Sequence, residues 1–204
     1  MLRQIYDCMI ESRLWARSKG FTPSISEATA VSAALSVKPS DIFAAPADGR
    51  TLYPVTHKQT AVIAYDAAHL RTVLSQRLNK HRHGIALVVL TELDYDSPAT
   101  KSLISDAHQN LWPIVFLALT DRPFDPSAHV IEIDVDGHDA VAVFRVVSES
   151  LRRARNGRGP AVIHAHGACS PLSSNSHGDP LARFQAYLSA KGLSTEKIHV
   201  LHHE

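Results

Sequence analysis

Residues 85–119 read IALVVLTELDYDSPATKSLISDAHQNLWPIVFLAL, and this stretch decides the fold. Ile85 to Leu90 and Ile114 to Leu119 are continuous apolar runs, too short for ordinary helices and rich in branched side chains, so each predicts a strand buried on both faces. The segment between them, from about Pro98 to Leu111, reads as a helix. A strand, a helix and a second strand in succession make a parallel unit, because the long crossover returns the chain to the same edge of the sheet.

The same alternation continues outward. Downstream come a strand from Val130 to Val135, a helix from His138 to Asn156, a strand from Pro160 to Ala165 and a final helix from about Leu181 to Lys191. Upstream, Val62, Ile63, Ala67, Leu70, Val73, Leu74 and Leu78 mark a long helix, and Ile42 to Ala45 a brief strand. Ser24-Ile25-Ser26-Glu27 offers capping residues before an alanine-rich helix, and Leu2, Ile5, Tyr6, Met9, Arg13 and Leu14 form the apolar stripe of an opening helix. The expectation is an α/β fold with a parallel sheet of about five strands and helices on both faces. One domain spans 1–204, with an N-terminal helix at 1–20, an irregular Ser/His loop at 167–180, and a C-terminal helix and tail at 181–204.

Composition narrows the function. The 204 residues are 45% hydrophobic and 20% charged with a net charge of +1, which suits one soluble core and no polyelectrolyte partner. Scattered basic residues give no nucleic-acid footprint; the basic run Arg152-Arg153-Ala154-Arg155-Asn156-Gly157-Arg158 sits where it compensates a helix dipole. No apolar run approaches the length needed to cross a bilayer. The opening MLRQIYDCMIESRLW is interrupted by Arg3, Asp7, Glu11 and Arg13, unlike a secretion signal, so a cytoplasmic location is expected. Cys8 and Cys169 provide no disulfide framework and read as reduced thiols. Nine glycines in the chain fall below the usual share of about 7%, which counts against phosphate-cradling loops.

The run Val135-Asp136-Gly137-His138-Asp139-Ala140-Val141, the helix ending in Ala154-Arg155-Asn156-Gly157-Arg158-Gly159-Pro160, and the strand that follows resemble the α subunit of the thiamine-diphosphate-dependent 2-oxo acid dehydrogenases. Other pieces agree in order: Tyr6, Met9 and Arg13; Ser26-Glu27-Ala28 where the family has Gln-Glu-Ala; Pro39-Ser40-Asp41; Leu111 to Phe116; and a serine- and histidine-containing loop closing on Asp179-Pro180. The resemblance implies a shortened relative with a thiamine-diphosphate-binding type of fold.

In that family the diphosphate is held through a divalent metal by a Gly-Asp-Gly triplet and a later Asn-Asn pair. The resemblance places these on Thr91-Glu92-Leu93 and Thr120-Asp121. Glu92 and Asp121 follow consecutive strands, so they are the candidate cofactor-binding and Mg²⁺-binding residues, with Asp94 or Asp96 as helpers, at the carboxyl edge where open α/β sheets bind ligands. The competing reading is two hydrated loop carboxylates. Thr91 and Leu93 carry Cβ atoms where the family has none. The family's Tyr-Arg grip is replaced by Ala47-Asp48, with Arg50 and Tyr53 displaced.

His177 is the candidate catalytic residue, near the family's loop histidine and able to orient a carboxylate or move a proton; the alternative is an exposed loop histidine. His164 and His166 lie two apart on a strand and share a face. With His177 and Cys169 they offer a zinc set, and with it a reading as a small metal-dependent hydrolase.

Two main functions follow. One is an α-like subunit that has lost thiamine diphosphate and Mg²⁺ and serves a structural or regulatory role. The other is an active α-like subunit decarboxylating a 2-oxo acid with a β-like partner. A homodimer is the alternative assembly, for which Ala28, Ala30, Ala33, Ala34 and the 64–68 segment offer small-residue faces.

Overall fold

The computed structural model describes residues 1–20, 25–46, 62–65, 70–80, 84–120, 130–168 and 178–193. In chain order the elements are α1 (Leu2–Ser18), α2 (Glu27–Ser36), β1 (Ile42–Pro46), β2 (Val62–Tyr65), α3 (Leu70–Lys80), β3 (Ala86–Leu90), α4 (Glu92–Asp96), α5 (Pro98–Gln109), β4 (Ile114–Leu119), β5 (Ile131–Asp136), α6 (Ala140–Arg155), β6 (Ala161–His166) and α7 (Pro180–Ala190). The strands form one parallel sheet in the order β2-β1-β3-β4-β6-β5. Thus the α/β reading holds, with a sixth strand added at one edge.

That sixth strand corrects the long helix expected from Val62 to Leu78. Val62 and Ile63 pair with Phe43 and Ala44 of β1, and the helix described after them is Leu70–Lys80. The physical reason is that Val62-Ile63-Ala64-Tyr65 is a short apolar run, and periodicity does not separate such a run from a helical turn. Ala64 and Tyr65 therefore lie on the edge strand rather than on a helix face, and 66–68 lie outside the described residues.

Alternation along the central strands builds the two faces. Phe43, Leu87, Val89, Val115, Leu117 and Ile163 point toward α2 and α6, packing on Ala33, Ala34, Val143, Val147 and Leu151. Their neighbours Ile42, Ala44, Val88, Phe116 and Val162 point the other way, onto Leu70 and Leu74 of α3 and Leu103 and Ala107 of α5. Both β3 and β4 are buried throughout, as their uninterrupted apolar sequences require.

A third cluster lies behind α2. Ile5, Tyr6 and Met9 of α1 meet Ala28 and Val31 of α2, Ala140 of α6, and Phe184 and Leu188 of α7. The alanines of α2, offered by the sequence as a subunit face, are consumed here: Ala33 and Ala34 face the sheet and Ala28 faces α1. Their small side chains let three helices and a sheet approach one another within a single chain.

Candidate functional site

All strands end on one edge, and the sheet order turns there about β1, whose neighbours β2 and β3 lie on opposite sides. Ligands of open parallel sheets sit in the crevice beyond such strand ends. Next to it, the chain leaving β3 does not run on as a loop. The Thr91 hydroxyl accepts from the Asp94 N–H at 3.2 Å and donates to the Asp94 carboxylate at 2.7 Å, while the Thr91 N–H donates to that carboxylate at 3.3 Å. This is a reciprocal capping box, which closes α4 as a helical turn. Ser97 then accepts from the Thr100 N–H at 3.2 Å and, with Pro98 behind it, starts α5.

Glu92 therefore stands, half-buried, in the first turn of α4 at the carboxyl end of β3. Leu93 beside it is 86% exposed. Asp94, named by the sequence as a helper ligand, has its carboxylate on Thr91 instead. The strands preceding Glu92 and Asp121 are neighbours, with Leu90 opposite Ala118. Asp121 lies outside the described residues, as do His177, Cys169, Arg50, Tyr53, and Ala47-Asp48.

The polar cluster that the structure does bring together lies on β5 and β6. Asp134 pairs with His164 in the strand register and Asp136 with His166. The His164 Nε2 meets the Glu132 carboxylate at 3.1 Å, with both side chains 2% exposed. His166 Nε2 meets Asp134 at 2.6 Å near the surface. The two imidazoles stack at 6.4 Å, and the Tyr95 ring of α4 sits edge-on to His164 at 5.3 Å. A carboxylate on one ring nitrogen fixes the tautomer and orients the imidazole, leaving the second nitrogen for proton exchange. Of the two rings, His166 lies nearer solvent.

Asp136 completes this row. Its carboxylate accepts from Arg183 at 2.8 Å and from the His138 N–H at 2.9 Å. Burial pushes the Asp136 carboxyl up, but Arg183 and the His138 N–H outweigh it and hold the group below its ordinary value of 3.8.

The sequence placed His164 and His166 on one face correctly and missed their carboxylate partners. The missed signal was local: Glu132, Asp134 and Asp136 alternate with the same two-residue period as the histidines. What the sequence did not supply was the adjacency of β5 and β6. Of the expected zinc set, His164 and His166 each engage a carboxylate of β5, and among the described residues no three His, Cys, Asp or Glu side chains are grouped so as to hold a metal ion.

The segments that carried the family resemblance meet as joints of the scaffold. Arg13 reaches both Glu27 and Asp179. Burial pushes the Arg13 pKa down, but its bonds to Asp179 and Glu27 prevail and hold it above the ordinary arginine value. Arg155 at the end of α6 is ion-paired with buried Asp41, which also caps the Lys38 N–H at 2.8 Å. Asp139 caps α6 by accepting from Val141 and Ala142 N–H groups, each at 3.0 Å. Thr29 and Ser32 donate to the Gly137 and Ala140 carbonyls at 2.6 and 2.8 Å. A Cβ at Gly137 would stand 2.7 Å from the Ala168 Cβ and 2.9 Å from the His166 carbonyl.

No family model matches the chain. A part covering 35% of it is 32% identical to the pyruvate dehydrogenase E1 component subunit alpha of Bacillus subtilis (strain 168), and that match spans 24% of the relative's length. Among solved structures, 2-oxoglutarate:ferredoxin oxidoreductase from Magnetococcus marinus superposes with a TM-score of 0.50 at 12% identity, over 70% of this chain and 29% of that one. A Mycobacterium smegmatis protein assigned as a thiamin diphosphate-dependent enzyme gives 0.49 at 16% identity, over 71% and 32% of the two chains. The chain thus spans about a quarter to a third of each protein it resembles, and the likeness in structure is one of fold. No helix among the described residues is long and apolar enough to cross a membrane.

Proposed function

We propose that this chain is a non-catalytic relative of the α subunits of thiamine-diphosphate-dependent 2-oxo acid dehydrogenases, a structural or regulatory subunit that keeps the scaffold without its cofactor site. One observation supports the reading: the Thr91–Asp94 capping box stands at the residues that the sequence resemblance assigns to the family's metal-binding triplet. A diphosphate held through Mg²⁺ needs an open oxygen shell and backbone bare enough to approach the phosphates. Here one carboxylate is tied to the helix cap, and the Thr91 and Leu93 side chains stand where the family has glycines. The residues present do not fit the group.

The scaffold joints support the same view. Arg13, Glu27, Asp41, Arg155, Gly137 and Asp139, which carry the resemblance, are engaged in capping, ion pairing and close packing. A sequence match resting on them speaks for inherited architecture. The active-subunit reading retains one support, Glu92 at the carboxyl edge of β3, with Asp121 as its complement.

Thermal unfolding tests the reading. A ligand bound only by the folded chain at a hundred times its dissociation constant adds about 2.7 kcal/mol, enough to raise the melting midpoint by several degrees. We expect no shift with millimolar thiamine diphosphate and Mg²⁺, while a β-like subunit co-sediments with the chain in the absence of cofactor. A cofactor-dependent shift that also requires Mg²⁺ refutes it.

A further inference from the structure

On the opposite side of β5 from the histidine-carboxylate row, a groove of about 740 Å³ runs between the strand edge and α6. Ile133, Ala142 and Val146 line it with apolar surface, and Arg145, Arg152 and Arg153, with the single carboxylate Glu149 among them, line it with charge. A second hollow of about 390 Å³ shares Ala142 and Arg145 with the first and continues to Arg183, Phe184 and Tyr187 of α7. The two form one elongated trough. From Ala142 to Arg153 it follows α6 for about three turns, or roughly 16 Å.

The charges in the trough do not balance. Arg152 is paired with Glu149 at 2.6 Å and Arg183 with Asp136 at 2.8 Å. Neither Arg145 nor Arg153 has an ion-paired carboxylate among the described residues. The sequence offered the basic run at 152–158 as dipole compensation, yet Arg145 lies in the middle of α6, where dipole compensation does not account for it.

We propose that this trough docks an acidic amphipathic helix of a partner protein. An open apolar channel of this length matches a helix laying one stripe of side chains at three-and-four spacing along it, with flanking carboxylates meeting Arg145 and Arg153. A second β5 strand added at the sheet edge is the poorer occupant, because Glu132, Asp134 and Asp136 would face the same carboxylates of its copy. Neither hollow is lined by Glu92 or by the end of β3, so the proposal does not rest on whether a cofactor binds there.

The test uses the full chain and a fluorescent helical peptide of about 18 residues, five turns, with leucines on one stripe and glutamates flanking them, against a lysine-flanked version. The glutamate peptide is expected to bind and to weaken as salt rises, and the lysine peptide to fail. Arg145→Glu with Arg153→Glu is expected to weaken binding about tenfold or more, since repulsion replaces attraction at the rim; Lys101→Glu, exposed on α5 at the other face of the sheet, leaves it unchanged. Circular dichroism confirms folding, and Val146→Ser gives a second loss through the apolar floor alone. Equal binding of both peptides, no binding of the glutamate peptide, or indifference to the paired substitutions in a folded chain overturns the proposal.

Discussion

Arg13 donates to the Asp179 carboxylate at 2.8 Å across 166 positions of sequence, and the same guanidinium is ion-paired with Glu27. One side chain thereby ties α1 to the starts of α2 and α7, the three helices that share the cluster behind the sheet. Removing one partner of a buried ion group leaves the others desolvated and unpaired, which costs far more than the intact group contributes.

Arg13→Ala is therefore expected to destabilise the chain by about 3 kcal/mol, because Glu27 is left buried without its cation. Asp179→Asn, at the more exposed end, is expected to cost less, about 1 kcal/mol. Urea denaturation at pH 7 measures both. Equal losses would mean that the Glu27 end adds nothing.

Acid stability follows from two carboxyls. The bond to Arg13 holds Asp179 below its ordinary 3.8 against opposing burial, and Asp136 is held below the same value, where burial is outweighed by Arg183 and the His138 N–H. The folded chain thus binds fewer protons at these sites than the unfolded one. Their contribution is complete above the ordinary carboxylate value and is lost as pH falls through the lower folded values. The urea midpoint should hold down to about pH 5 and drop below about pH 4, and Asp179→Asn with Asp136→Asn should flatten that drop. An unchanged drop in the double variant contradicts the assignment.

Gly137 tests close packing rather than charge. An added methyl would press on the Ala168 Cβ and the His166 carbonyl, at a residue whose own carbonyl accepts from Thr29. Gly137→Ala is expected to cost about 1–3 kcal/mol through overpacking. Gly157→Ala has open space around the new Cβ, and its cost should stay near the roughly 1–2 kcal/mol of a positive φ. Chevron or equilibrium urea data on the two variants, with a Gly137→Ala variant as stable as wild type, would contradict this packing.

The two histidine-carboxylate pairs have the same chemistry in different surroundings. A double-mutant cycle should give a coupling of about 1–3 kcal/mol for buried His164 and Glu132. It should give less than about 1 kcal/mol for His166 and Asp134, which solvent screens. A reversed ranking would show that burial does not control these pairs.

Much of this architecture is legible in sequence because it is local. The buried strands β3 and β4 declare themselves as apolar runs, and the residue types at Ser26-Glu27 mark the start of α2. The edge strand β2 is hidden because a four-residue apolar run has no decisive period. The capping box at Thr91 is hidden for a different reason: aligning Thr91-Glu92-Leu93 to a metal triplet directs attention to Glu92, while the local chemistry of Thr91 and Asp94 decides the turn. Joints such as Arg13 with Asp179 and Asp41 with Arg155 are distant in sequence, so their motifs are visible while their bonds are not. The carboxylates of β5 acquire meaning only once that strand lies beside β6.

The central claim is that the motifs retained here hold the scaffold and do not hold a cofactor. Isothermal titration of the chain with thiamine diphosphate and Mg²⁺, with and without a β-like subunit, tests it most directly. The account predicts no saturable, metal-dependent heat and no difference on Glu92→Ala or Asp121→Ala. Tight binding that requires Mg²⁺ and disappears in both variants would contradict it.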